Sequence, residues 1–75
     1  MYITITLEAY GQKADIRIDP EQKISMGLIV LRESGKFSGG ETPAYYRSKQ
    51  VEKLVSAYKT FNDEAIYDGD VLTAL

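Results

Sequence analysis

The chain has 75 residues, 44% of them hydrophobic and 27% charged, with a formal net charge of −2 and a pI near 5.0. That is an ordinary globular composition for one small core, burying roughly 60% of the surface exposed by the unfolded chain. It argues against nucleic acid as a partner, which needs a basic footprint, and the absence of cysteine excludes disulfides, CxxC redox pairs and thiolate zinc sites.

Strict alternation marks the first segment, Tyr2–Leu7: Ile3, Ile5 and Leu7 face one side and Tyr2, Thr4 and Thr6 the other. The second segment, Ala14–Ile18, repeats it, with Ala14, Ile16 and Ile18 inward and Asp15, Arg17 and Asp19 outward. Tyr10-Gly11-Gln12-Lys13 supplies the turn between them. A sheet with one apolar face needs a cover, and the stretch Pro20 to Ser34 predicts the covering helix. Asp19 suits its cap, Pro20 its first position and Gln22 a capping box. Ile24, Leu28 and Leu31 form the docking stripe, and Gly27 within it implies a close approach of helix to sheet. Gly35 is placed to end the helix. Ile29 and Val30 lie off the stripe, which points to burial on a second side by a loop or by a partner.

Lys36 to Pro43 is a loop by composition; its Gly39-Gly40 lacks the following Lys-Ser/Thr and the preceding strand of a phosphate loop. Ala44–Ser48 reads as a third strand, Gln50 to Lys53 as a turn and Leu54-Val55 as a short fourth strand. Phe61 and Ile66 look like core anchors bracketing one helical turn, and Tyr67-Asp68-Gly69-Asp70 turns the chain into a last strand. No internal repeat or domain boundary is evident, so residues 1–75 are expected to form a single domain. No apolar run approaches the ~20 residues of a membrane span. Met1-Tyr2-Ile3-Thr4 enters a strand without a basic region, so no signal peptide, no membrane insertion and a cytoplasmic location are expected.

Six tyrosines are the main compositional oddity. By alternation Tyr2, Tyr45 and Arg47 point away from the helix, joined by Thr4, Thr6, Arg17 and Thr73. Two readings account for this open face: a partner-binding surface of aromatic, basic and hydroxyl groups, or good strand formers on a solvated face. Tyr46 points inward as core, while Tyr10, Tyr58 and Tyr67 sit near turns where they can seal core edges. The acidic residues Asp63, Glu64, Asp68 and Asp70 do not follow calcium-loop spacing and read as turn chemistry. With no histidine and no cysteine, the usual base, metal ligand and nucleophile are missing. No catalytic residue, metal or cofactor is expected, and the chain reads as a non-enzyme.

The Tyr2–Leu7 and Ala14–Ile18 hairpin, Asp19-Pro20 leading to Ile24, the Phe61 and Ile66 pair, and Asp70-Val71-Leu72-Thr73-Ala74-Leu75 together resemble the ubiquitin-like superfamily. The opening Met1-Tyr2-Ile3-Thr4-Ile5-Thr6 and the ending Ile66-Tyr67-Asp68-Gly69-Asp70-Val71-Leu72 look most like the YukD-like proteins encoded with bacterial type VII (WXG100) secretion systems. The resemblance implies an α+β, ubiquitin-like β-grasp: a mixed four- to five-stranded sheet on one helix, first and last strands adjacent and parallel. It also implies a cytoplasmic accessory or regulatory component that binds protein partners of the secretion machine. A conjugated modifier would need a tail ending in two glycines, whereas the last residue here is Leu75, so conjugation is not expected. The central position of ubiquitin's apolar patch corresponds to Arg47, with Leu75 beside it; a charge there opposes ubiquitin-receptor binding. Tyr2, Thr4, Tyr45, Arg47, Thr73 and Leu75 are the expected contact residues. The alternatives are a β-grasp carrier or modifier, or a structural or regulatory subunit of another bacterial or phage assembly.

Overall fold

A computed structural model describes residues 1–75. Strands β1 (Ile3–Ala9) and β2 (Gln12–Ile18) pair antiparallel, from Ile3 opposite Ile18 to Ala9 opposite Gln12. The hairpin is longer than alternation alone predicts because its turn has two residues, Tyr10 and Gly11, both at positive φ (53° and 71°). Such a turn matches the right-handed twist of the flanking strands, so Gln12 and Lys13 join the ladder instead of the turn. Ile3, Ile5, Leu7 and Ala9 are buried on one face, as the period of two requires.

Helix α1 (Ile24–Glu33) starts later than the Pro20 expected from the sequence. Asp19 is engaged elsewhere: its Oδ1 accepts from the Glu21 amide at 2.9 Å and its carbonyl from the Gln22 amide at 3.0 Å. Asp19 to Gln22 thus closes a turn of its own, and neither the Asp19 cap nor the Gln22 capping box forms. The first helical amides are satisfied from far along the chain, Ile24 donating to the Lys59 carbonyl (2.9 Å) and Ser25 to that of Ala57 (2.8 Å). A helix start needs acceptors for its free amides, and here a long-range backbone supplies what a local cap usually does. The far end follows the sequence signal. Gly35 sits at φ 79°, Lys36 donates to the Leu31 carbonyl (2.9 Å) and Gly35 to that of Arg32 (3.1 Å), which is a Schellman termination. The stripe Ile24, Leu28 and Leu31 is buried. A Cβ on Gly27 would lie 3.0 Å from Leu7 Cδ1, so helix and sheet do approach closely there.

Strands β3 (Tyr45–Ser48), β4 (Lys53–Ser56) and β5 (Val71–Ala74) complete a five-stranded sheet in the order β2-β1-β5-β3-β4. β5 runs parallel to β1 and antiparallel to β3, joining the two hairpins. β4 is longer than the expected Leu54-Val55, because Lys53 and Ser56 also pair with β3. Phe61 and Ile66 are both buried, and the chain between them makes one turn closed by the Ile66 amide on the Phe61 carbonyl (2.9 Å). Sixteen buried residues form one apolar cluster between sheet and helix.

The segment Lys36 to Pro43 is more than a solvated loop. Phe37 and Pro43 are buried, Phe37 within the core cluster. Gln12 exchanges two 3.0 Å hydrogen bonds with the Ser38 backbone, and Arg32 Nη2 donates to the Gly40 carbonyl at 2.5 Å. Tyr10 lies over Gly40, where any Cβ would fall 2.5 Å from its ring, and its hydroxyl donates to the Glu41 carbonyl. Of the two covers expected for Ile29 and Val30, a loop or a partner, no loop supplies one: both remain partly exposed on the outer flank of α1.

Candidate functional site

Helix α1 covers one face of the sheet and leaves the other open. The register sets out that open face in rows. Lys13 lies opposite Glu8, Glu8 beside Thr73, Thr73 opposite Arg47 and Arg47 opposite Leu54, a single line across all five strands. Polar contacts fix its first half: Lys13 Nζ stands 3.6 Å from Glu8 Oε2, and the Thr73 hydroxyl donates to Glu8 Oε1 at 2.8 Å. Beyond Thr73 the row changes character. Arg47 makes no ion pair within the chain, and Leu54 beside it is 53% exposed. In the next row, Tyr45 lies opposite Ser56 and its carbonyl accepts from the Leu75 amide at 3.2 Å. The side chains of Tyr45 (55% exposed) and Leu75 (70%) are open. Four of the six residues expected to make contact therefore gather at one end of the face: Tyr45, Arg47, Thr73 and Leu75.

Tyr2 and Thr4 do not join them. Thr4 lies opposite Arg17, four residues along β1 from Glu8, which is about 13 Å at ~3.3 Å per residue. The Arg17 guanidinium sits over the Tyr2 ring, 5.4 Å from its centroid, a cation–π contact that belongs to the β2 end of the sheet. Thr4 is engaged through its backbone, its amide donating to Asp68 Oδ1 (2.7 Å) and its carbonyl accepting from the Gly69 amide (2.7 Å). One residue of the cluster was missed from the sequence. Val55 as a core residue places its neighbour Leu54 on the open face by alternation, so the signal lay in the period of two.

The acidic residues serve the framework. Buried Asp70 accepts from the Ser48 hydroxyl (2.5 Å) and from the amides of Gln50 (2.9 Å) and Val71 (2.7 Å), fastening the β3–β4 turn to the start of β5. Asp68 holds Thr4, and Glu64 accepts from the Ser56 amide at 2.6 Å. Tyr46 is core, as alternation requires. Burial, aided by Tyr10 and opposed by Arg32, pushes its phenol up to about 12, and its hydroxyl has no hydrogen-bond partner in the chain. No helix is long and apolar enough to cross a membrane.

No family model and no curated protein matches the chain. Among solved structures, it is similar to the ubiquitin-like domain of EccD5 from Mycobacterium xenopi. The TM-score is 0.60 and the identity 16%, over 100% of this chain and 93% of that one. At that identity the likeness speaks for the fold. A five-stranded mixed sheet on one helix, with first and last strands adjacent and parallel, is the ubiquitin-like β-grasp that the chain adopts.

Proposed function

We propose that this chain is a non-enzymatic, protein-binding module acting as a cytoplasmic accessory of a bacterial type VII secretion system, and that it holds its partner through the Tyr45, Arg47, Leu54, Thr73 and Leu75 end of the open face. The observation that carries the binding role is the change along the central row, from the internally satisfied Lys13–Glu8–Thr73 half to the unpaired Arg47 and exposed Leu54. Aromatic and arginine anchors with apolar neighbours are the composition of binding hot spots. An arginine at the centre favours a partner that brings a carboxylate within an apolar rim, because burying the guanidinium unpaired is costly. The secretion context is supported by the likeness to the EccD5 domain together with the opening and closing residues of the chain. Affinity capture of the tagged protein from its native cells, with native and with denaturing washes, tests the reading. Secretion-machine components held only under native washing support it, whereas adducts surviving denaturation would make the chain a covalent modifier.

A further inference from the structure

The outer edge of β2 is the longer of the two free edges of the sheet, seven residues against four in β4. Its hydrogen-bonding pattern follows from β1. The Thr4 amide donates to Asp68 Oδ1 and the Thr6 amide to the Asp70 carbonyl, so even-numbered residues of β1 turn their backbone away from β2. By the register, Gln12, Ala14, Ile16 and Ile18 then bond to β1, and the amides and carbonyls of Lys13, Asp15 and Arg17 point out of the sheet. The side chains on this open-face line alternate in sign: Lys13, Asp15, Arg17 and, just past the strand, Asp19.

Only one register sets all four of these charges against opposite charges. Two copies of β2 paired antiparallel can bond only if odd residues face odd residues. Centred on Asp15, the pairing sets Asp15 against itself and Lys13 against Arg17; centred on Arg17, it sets Arg17 against itself and Asp15 against Asp19. Centred on Ala14, it sets Lys13 against Asp15 twice but drives Arg17 against Gly11 in the hairpin turn, leaving that charge unpaired. Centred on Ile16, it sets Asp15 against Arg17 and Lys13 against Asp19, each twice by symmetry. On the other face, Ala14 then meets Ile18 and Ile16 meets Ile16. Opposite charges directly across strands stabilise a sheet and like charges destabilise it. A second observation points to the same edge. Met26 and Val30 of α1 line a shallow groove with Tyr2, Arg17, Ile18, Asp19 and Gln22 beside the end of β2, and Val30 is partly exposed there. A two-fold axis normal to the sheet places both helices on one side and turns these flanks toward each other.

We propose that the chain forms an isologous dimer through β2, centred on Ile16, which joins two sheets into one and leaves the Arg47 end of each open face free. Sedimentation equilibrium of the wild type, Asp15→Arg, Arg17→Asp and the double variant tests it, with circular dichroism as the folding control. Each single reversal should weaken association by about tenfold or more, since symmetry counts each new like-charge pair twice. The double swap should restore it. An equimolar mixture of the two single variants should form a heterodimer, because each supplies the charges the other lacks. If a single variant fails to fold, Lys13→Asp and Asp19→Lys pose the same question. A monomeric wild type, single variants that associate as the wild type does, or folded single variants whose mixture stays monomeric would each overturn the proposal. In that event the edge charges serve only to keep the strand unpaired.

Discussion

Asp70 shows how much a single side chain can organise. Its carboxylate is buried and accepts three hydrogen bonds, from Ser48, Gln50 and Val71. Asp70→Ala would leave those donors unpaired in the interior, so a loss of about 2–4 kcal/mol is expected, measurable by urea unfolding. Tyr46 presents the reverse case, a buried hydroxyl without a partner. Tyr46→Phe is expected to leave stability unchanged or raise it by up to about 1 kcal/mol. The raised phenol also sets a pH dependence. Its folded value of about 12 exceeds the ordinary tyrosine value of 10.0 that the unfolded chain has, so the folded state holds the proton more tightly. Stability from this group is complete below pH 10.0 and is lost as pH rises toward about 12. Unfolding curves of wild type and Tyr46→Phe should diverge across that window, because only the wild type loses stability as the pH rises. Gly27→Ala would ordinarily gain about 1 kcal/mol in helix propensity. Here the added methyl meets Leu7 at 3.0 Å in a filled core, and a net loss of about 1 kcal/mol is expected from overpacking.

At the scale of elements, the legibility of the sequence divided by range. Alternation identified both strands of the first hairpin, and the stripe Ile24, Leu28 and Leu31 identified the helix with its Gly35 stop, because each of these is decided by neighbours in sequence. The helix start was not legible. Asp19-Pro20 carries a strong local cap signal, yet the backbone of Ala57 and Lys59, over thirty residues away, takes the amides instead. The Lys36 to Pro43 segment hid its structure for the same reason: Tyr10 and Gln12 of the first hairpin and Arg32 of the helix hold it. Gly40→Ala tests that strap. With Gly40 at φ 79° and Tyr10 against it, the substitution should free residues 38–41, seen as faster amide exchange at Ser38 while the core amides stay protected. The candidate site was read in part. Four of its residues came from alternation and resemblance, Leu54 was overlooked, and Tyr2 and Thr4 fall at the opposite end because a face is longer than a patch.

For the whole molecule, one apolar cluster of sixteen residues supports everything. Leu28 is fully buried at its centre, and Leu28→Ala should cost about 2–5 kcal/mol, a large share of the roughly 5–15 kcal/mol that stabilises a domain. The open face contributes little to that core, so the proposed contact residues can be replaced there without opening a cavity. The most direct test of that division is a binding isotherm for a captured secretion-machine partner against the wild type and the Tyr45→Ala/Arg47→Ala variant, each checked by thermal unfolding. The account expects unfolding temperatures within a few degrees of each other and affinity reduced about tenfold or more. Equal affinity from a folded double variant would contradict it and move recognition off this face.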